Sequence, residues 1–234
     1  MYSDVFCKVY NEFGWNYYPE IFGEQLLLWM KQRNWKPTSS MDLACGTGIL
    51  CEILYNSGIE AAGMDFSAGM IDIARQGNPQ ISYDVADMIT YRPDRRFDLV
   101  TCTGDAINHI MAAEDVARIF ANVHYALRPG GHFIFDILNE NEVPTSEPFD
   151  LDFSEDVKAR FCVTRDAQGL VHLQTTVEER GKEPFTEEII EIVHDPETIC
   201  TLLKEAGFKV LQCADHLLPD GEHHGTSWYN VAQK

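Results

Sequence analysis

The sequence predicts an α/β chain, a doubly wound and mostly parallel sheet with an antiparallel β insertion late in the chain. Three observations carry that expectation. From 41 to 138, short apolar runs alternate with stretches of helical period, the pattern of strands joined by crossover helices. A glycine turn, Gly46-Thr47-Gly48, stands between the first apolar run and the next helical stretch. After 138 the period changes to alternation broken by turn residues, which suits antiparallel strands.

Residues 1–36 are rich in aromatic rings, and Ile21–Met30 has the apolar spacing of a helix packed on a sheet. The preceding part lacks a clean period and is expected to form a lid of short helices, with Tyr10 and Trp15 the first candidates to cover a ligand. Met41–Leu43 begins the sheet, and Gly63-Met64-Asp65 ends the second strand. Ile81–Met88 and Phe97–Cys102 supply the third and fourth. A helix over Glu114–Leu127, with early acids that complement its dipole, stops at Pro129-Gly130-Gly131 before a fifth strand ending at Asp136. Residues 139–156 look like an exposed connection. Alternation around 157–164, 170–178 and 186–193 then predicts three strands, with Asp166–Gly169 as a hairpin turn. Asp195–Phe208 is a helix with a glycine C-cap at Gly207, and strands over 209–213 and 227–232 follow. The expected organisation is a helical segment 1–36, a core 37–138, inserted strands 139–194, and a helix and strands 195–234 that complete the sheet.

With 234 residues the chain can bury one substantial core. Its net charge of −19 and the absence of a basic cluster longer than Arg95-Arg96 argue against nucleic acid. No apolar run approaches the roughly 20 residues of a membrane span, and no signal peptide is evident at the N-terminus. Seven cysteines without a C-x-x-C pair fit a reducing cytoplasm and argue against a zinc site. The loop Asp215–His224 contains His216, His223 and His224 with several acids, but its spacing matches no closed metal pattern. No metal is expected.

The most informative stretch is Met41–Leu50. Strand, glycine turn and helix start let backbone approach a ligand and aim N–H groups at it. Asp65 follows Gly48 by 17 residues, the place of a carboxylate that accepts both hydroxyls of a ribose. An adenosine-type cofactor is therefore expected. A nicotinamide fingerprint would carry a third glycine where this chain has Cys51. Asp42 before the turn suits a ligand with an ammonium group.

The D-x-x-x-G-x-G run from Asp42 to Gly48 resembles the first motif of class I S-adenosylmethionine-dependent methyltransferases. Asp65, Asp87, Phe97–Cys102 and Leu127-Arg128-Pro129-Gly130-Gly131 follow in that family's order over about residues 35–140. The resemblance implies a seven-stranded sheet whose last strand is antiparallel, and S-adenosylmethionine as cofactor. Carried onto this chain, Asp42, Ala44, Cys45, Gly46 and Gly48 would shape the methionine pocket, and Asp65 would take the ribose. Phe66, Met70, Asp87 and Met88 would hold the adenine; Thr103 and Gly104 would line the methyl end, and Tyr10 would cover the cofactor. His109, in a segment similar to that of bacterial amino-sugar N-methyltransferases, is the candidate base, because an ordinary histidine can accept a proton at neutral pH. Asp105 could hold a substrate ammonium or start a helix. The loop Thr103-Gly104-Asp105-Ala106 differs from the motif of nucleobase and protein-amide methylating enzymes, so a small-molecule acceptor with an N or O nucleophile is expected. An aminopropyl transferase and a non-catalytic cofactor-binding protein remain alternatives, and the inserted strands could form a homodimer.

Overall fold

The computed structural model describes residues 6–7, 10–11, 14–139, 146–152, 154–218 and 227–234. Helix α1 (Tyr17–Gln32) precedes β1 (Ser39–Leu43), α2 (Ile49–Asn56), β2 (Glu60–Asp65), α3 (Ala68–Gly77), β3 (Ser82–Val85) and β4 (Phe97–Cys102). A 3₁₀ turn (Ala106–His109), α4 (Ala113–Ala126) and β5 (Leu127–Leu138) follow. Then come β6 (Ser146–Asp152), β7 (Val157–Arg165), β8 (Val171–Glu179), β9 (Phe185–Glu191), α5 (Pro196–Glu205), β10 (Lys209–Ala214) and β11 (Ser227–Gln233).

Seven strands form one sheet in the order β10-β11-β5-β4-β1-β2-β3. All its pairings are parallel except those of β11, which runs antiparallel to β5 and β10. The chain winds outward from β1 in one direction and from β4 in the other, so the β1–β4 boundary is the switch point at which ligands bind open α/β sheets. Alternation along the strands divides the core. Val100, Phe133 and Phe135 face α4 and α5 with Ile119, Phe120, Ile199 and Leu203. Leu99, Ile134 and Val231 face α1–α3 with Phe22, Leu26, Trp29, Leu50 and Ile71. Each such side chain stabilises the fold by roughly 1.5–3 kcal/mol through burial.

The second sheet has four antiparallel strands, β6-β7-β8-β9, rather than the three that alternation predicts. The expected connection over 139–156 contains β6, whose Pro148 and acids suit an edge strand paired on one side only. The hairpin turn at Asp166 is as expected: Asp166 Oδ1 accepts from Gln168 and Leu170 N–H, and Gly169 has φ +87°. Asp195 caps α5 by accepting from Thr198 N–H, and Gly207 closes it at φ +95°. The third strand is shorter than expected: it ends at Val85, and Ala86 N–H makes the last bond to β2 by donating to Asp65 O at 2.9 Å. Of the His-rich loop, residues 219–224 lie outside the described residues.

Candidate active site

Two cavities open at the carboxyl ends of β1, β2 and β4. The first, about 340 Å³, is lined by Ala44, Met64, Asp65, Phe66, Asp87, Met88 and Ile110 among others. The second, about 230 Å³, includes Trp15, Tyr18, Asp42, Cys45, Gly46, Thr47, Asp105, Leu173, Ile189 and Glu191. Tyr10, Ala44, Thr103, Gly104 and His109 line both, so the two are compartments of one cleft.

Local chemistry explains each wall. Cys45 N–H donates to Met64 O, tying the turn after β1 to β2. Asp65 at the end of β2 accepts Gly46 N–H at 2.9 Å on Oδ2 and Ser67 N–H at 2.8 Å on Oδ1. Each oxygen keeps further accepting capacity, as a ribose diol requires. Gly46 and Gly104 have positive φ (+53° and +72°), and a Cβ on either would meet nothing within 4 Å, so both present bare backbone to the cleft. These features fit an adenosyl ligand. Asp87 Oδ1 accepts Ile89 N–H at 2.8 Å and shapes the turn that carries Met88. The N-terminal segment is fastened across the rim: Thr47 Oγ1 donates to Asn11 Oδ1 at 2.9 Å, and Cys7 Sγ lies 3.5 Å from Ser67 Oγ. Tyr10 and Trp15 pack together, ring centroids 5.2 Å apart, and Trp15 reaches Phe161 of the inserted sheet at 6.1 Å.

Two of the expected cofactor residues are not on the cleft. Gly48 has φ +85°, and a Cβ there would lie 2.6 Å from Tyr83 Oη. Its small size admits a β3 ring beneath the turn rather than a ligand above it. Met70 is wholly buried in the first turn of α3, where its N–H donates to Ser67 Oγ. Its spacing marked an apolar helix face, and that face points into the core.

The cleft is acidic. Burial pushes the Asp42 carboxyl up to about 7, while Thr101 Oγ1 donates to its Oδ1 at 2.7 Å. Burial also raises Asp65. Asp105, at φ +60°, does not cap the 3₁₀ turn with its side chain. It sits beside Asp136 of β5, whose oxygens accept Gly104 and Asp105 N–H at 3.0 and 3.1 Å. Burial raises both carboxyls, and the charges of Asp136 and Glu191 push Asp105 up further, whereas the hydrogen bonds from Asp105 and Gly104 pull Asp136 back down. The two donated N–H groups make Asp136 the better-stabilised anion of the pair. Glu191, at the end of β9, is pushed up to about 7, chiefly by burial. Burial lowers His109 and raises Tyr10 to about 12. No lysine or arginine is among the described residues lining either cavity.

His109 Nε2 lies 3.6 Å from Glu191 Oε1. Asn108 fixes that geometry. Its Nδ2 donates to Ile192 O at 2.7 Å, its Oδ1 accepts Leu138 N–H at 3.0 Å, and its carbonyl accepts Ile192 N–H at 2.8 Å. Asp136 and Glu191 are the site residues that motif reading missed. Asp136 ends a recognisable strand, and its position could have flagged it. Glu191 comes from an inserted strand with no local signal. His194, His172, His132 and His124 are in structural settings, the first with its Nε2 3.2 Å from Ile107 O.

Among the described residues, no group of three His, Cys, Asp or Glu is arranged to hold a metal ion. No helix among them is long and apolar enough to cross a membrane.

Comparisons with known proteins agree with this geometry. Residues 41–131 match the family described as a methyltransferase domain. A ubiquinone biosynthesis O-methyltransferase of Coxiella burnetii is 32% identical over 106 residues, 43% of this chain and 44% of that protein. A dTDP-3-amino-3,6-dideoxy-alpha-D-glucopyranose N,N-dimethyltransferase of Streptomyces fradiae is 32% identical over 108 residues, 46% of this chain and 42% of that protein. The chain thus matches less than half the length of these curated relatives. Over the whole fold, it superimposes on an S-adenosylmethionine-dependent methyltransferase from Clostridium acetobutylicum with TM-score 0.80 and 24% identity, covering 92% of this chain and 91% of that one. An amino pentose methyltransferase from Micromonospora echinaspora, solved with S-adenosylmethionine bound, gives TM-score 0.79 at 19% identity, covering 100% and 98%. Residues 41–131 thus match the methyltransferase domain family, and the chain as a whole has the fold of the solved S-adenosylmethionine-dependent methyltransferases.

Proposed function

We propose that the protein transfers a methyl group from S-adenosylmethionine to a nitrogen of a small, aminated acceptor, releasing S-adenosylhomocysteine. The observation that carries this reading is the double cleft. Its compartments meet at Ala44, Thr103, Gly104 and His109, and the second is lined by Asp42, Asp105 and Glu191 with no described lysine or arginine. A negative, partly desolvated wall favours a cationic guest.

When bound, the cofactor supplies an electrophilic methyl on a sulfonium. The chain supplies binding and alignment. Asp65 accepts the ribose hydroxyls, Asp87 and Met88 border the adenine, and Asp42 faces the amino-acid ammonium. The open backbones of Gly46 and Gly104 permit close approach. Tyr10 and Trp15 cover the cleft and exclude water, which shortens the attack distance and strengthens charge interactions. His109 stands at the junction of the compartments, beside the nucleophile. The similarity to the Streptomyces fradiae amino-sugar N,N-dimethyltransferase supports nitrogen over oxygen. The seven free thiols support a reducing, cytoplasmic setting. Phe149 and Leu151, exposed on edge strand β6, support a homodimer through the inserted sheet.

Isothermal titration with S-adenosylmethionine, S-adenosylhomocysteine and NAD in parallel tests the reading. Micromolar binding of the two adenosyl ligands and none of NAD is expected. Binding of NAD alone would overturn it. Turnover of amines with methyl-labelled donor separates methyl transfer from aminopropyl transfer and from a non-catalytic binder.

A further inference from the structure

We infer that Glu191, delivered to the cleft by the inserted sheet, receives the acceptor's ammonium group and takes its proton before methyl transfer. This deepens the proposed function and rests on it.

Four observations place the residue. Its side chain is only 14% exposed and lines the acceptor compartment. It stands 3.6 Å from His109 Nε2, and His109 borders both compartments. The carboxylate is therefore within one imidazole width of the junction where the methyl group must lie. Its strand is held there by the paired Asn108–Ile192 hydrogen bonds, so the position is set by the fold and not by a mobile side-chain excursion. The described residues lining the compartment offer no other cation to neutralise it.

The groups facing Glu191 define its electrostatics. Asp105 and Asp136 present carboxyls from the β4 loop and β5, His109 comes from the 3₁₀ turn, and Tyr10 and Tyr18 come from the N-terminal segment and α1. The field is negative, so a guest ammonium is attracted, and burial first and the Asp136 charge second make the carboxylate more basic than an exposed glutamate. A base titrating near neutrality suits proton transfer at pH 7. His109, made less basic by burial, serves as the neutral wall that orients the Glu191 carboxylate.

The step balances. An N–H bond of the bound R–NH3⁺ breaks and an O–H bond forms on Glu191. The freed nitrogen lone pair attacks the methyl carbon, and the carbon–sulfur bond breaks with its electrons going to sulfur. The product R–NH2⁺–CH3 carries the charge, the sulfide is neutral, and Glu191 returns its proton to solvent on product release.

The test uses the full chain with Glu191→Gln, which keeps shape and removes charge and basicity, and Glu191→Asp as the conservative variant. The probes are glucosamine, 3-amino-3-deoxyglucose and cyclohexylamine, each beside its hydroxyl counterpart. Wild type saturated with S-adenosylhomocysteine is expected to bind at least one amine over its hydroxyl counterpart, and Glu191→Gln to bind it at least tenfold more weakly. In methyl transfer, Glu191→Gln is expected to lose about 100-fold in kcat at pH 7. Its residual rate should climb with pH as the free amine fraction grows, while wild type levels off above neutrality and Glu191→Asp recovers part of the loss. S-adenosylhomocysteine binding should be unchanged in all three proteins. A Glu191→Gln protein with the wild-type pH profile and amine affinity overturns the inference, as does a wild type that binds cofactor but discriminates no amine from its hydroxyl counterpart. A wild type that binds neither adenosyl ligand overturns the proposed function itself.

Discussion

Replacing Gly48 with alanine is expected to destabilise the fold through two separable effects. The position has φ +85°, a region that costs a residue with a Cβ about 1–2 kcal/mol. The new methyl would also stand 2.6 Å from Tyr83 Oη and 3.1 Å from both Tyr83 Cζ and Ala74 Cβ, an overpacking that costs typically about 1–3 kcal/mol. Together, Gly48→Ala should lose roughly 2–5 kcal/mol, read as a lowered urea midpoint at constant m-value. Tyr83→Phe isolates the steric part. Tyr83 is buried, and its hydroxyl has no hydrogen-bond partner among the described residues, so Tyr83→Phe alone should change stability little. In the double variant the nearest clash disappears while Cζ and Ala74 stay close, so recovery should be about 1 kcal/mol, with the backbone strain remaining. A coupling energy below roughly 0.5 kcal/mol, the additivity limit for independent sites, would refute the view that Gly48 exists to admit Tyr83.

Other outcomes follow from the same geometry. Asp65→Ala removes the acceptor of Gly46 and Ser67 N–H; loss of one charge-assisted bond to ribose at about 1.5–3 kcal/mol should weaken S-adenosylhomocysteine binding about 10- to 150-fold, and calorimetry showing unchanged affinity would remove Asp65 from the ribose. Asn108→Ala leaves Leu138 N–H and Ile192 O without side-chain partners; at about 1–3 kcal/mol for each buried group, urea unfolding should register a loss of roughly 2–6 kcal/mol. Asp42 titrates near 7 in the fold and near 3.8 when unfolded. The fold therefore holds a proton that the unfolded chain releases, and this group's contribution is full below about pH 3.8 and lost as pH rises toward 7. Asp42→Asn should flatten the stability–pH slope between pH 4 and 7, and an unaltered slope would contradict the burial argument. Tyr10→Ala opens both compartments at once, so cofactor and acceptor affinity should fall together; a change in neither would mean the ring is packing only.

Much of this was legible in the chain because the signals are local. A parallel strand buried on both faces must be an apolar run, so β4 was readable to its ends as Phe97–Cys102. A turn that needs left-handed backbone must carry glycine, so Gly46 marked the place where ligand and main chain approach. Caps such as Asp195 and Gly207 are fixed by the unsatisfied groups of a single helix. The sequence by itself thus determined the order of elements in the main sheet, the carboxyl-end location of the cleft and the acidic residue, Asp65, that ends β2 beside it.

Tertiary structure decided which side of each element faces the cleft. Met70 and Gly48 satisfy the motif yet face the core, because a helix start and a turn each have an inner and an outer side and spacing does not distinguish them. Edge strand β6 escaped notice because pairing on one side demands little of its sequence. Glu191 meets His109 across 82 residues only because Asn108 bonds the end of β9 to the 3₁₀ turn. Acidity around the cleft is likewise a property of the assembled fold: Asp105, Asp136 and Glu191 come from three elements, and it is chiefly their shared burial, not any one residue's identity, that raises their proton affinity.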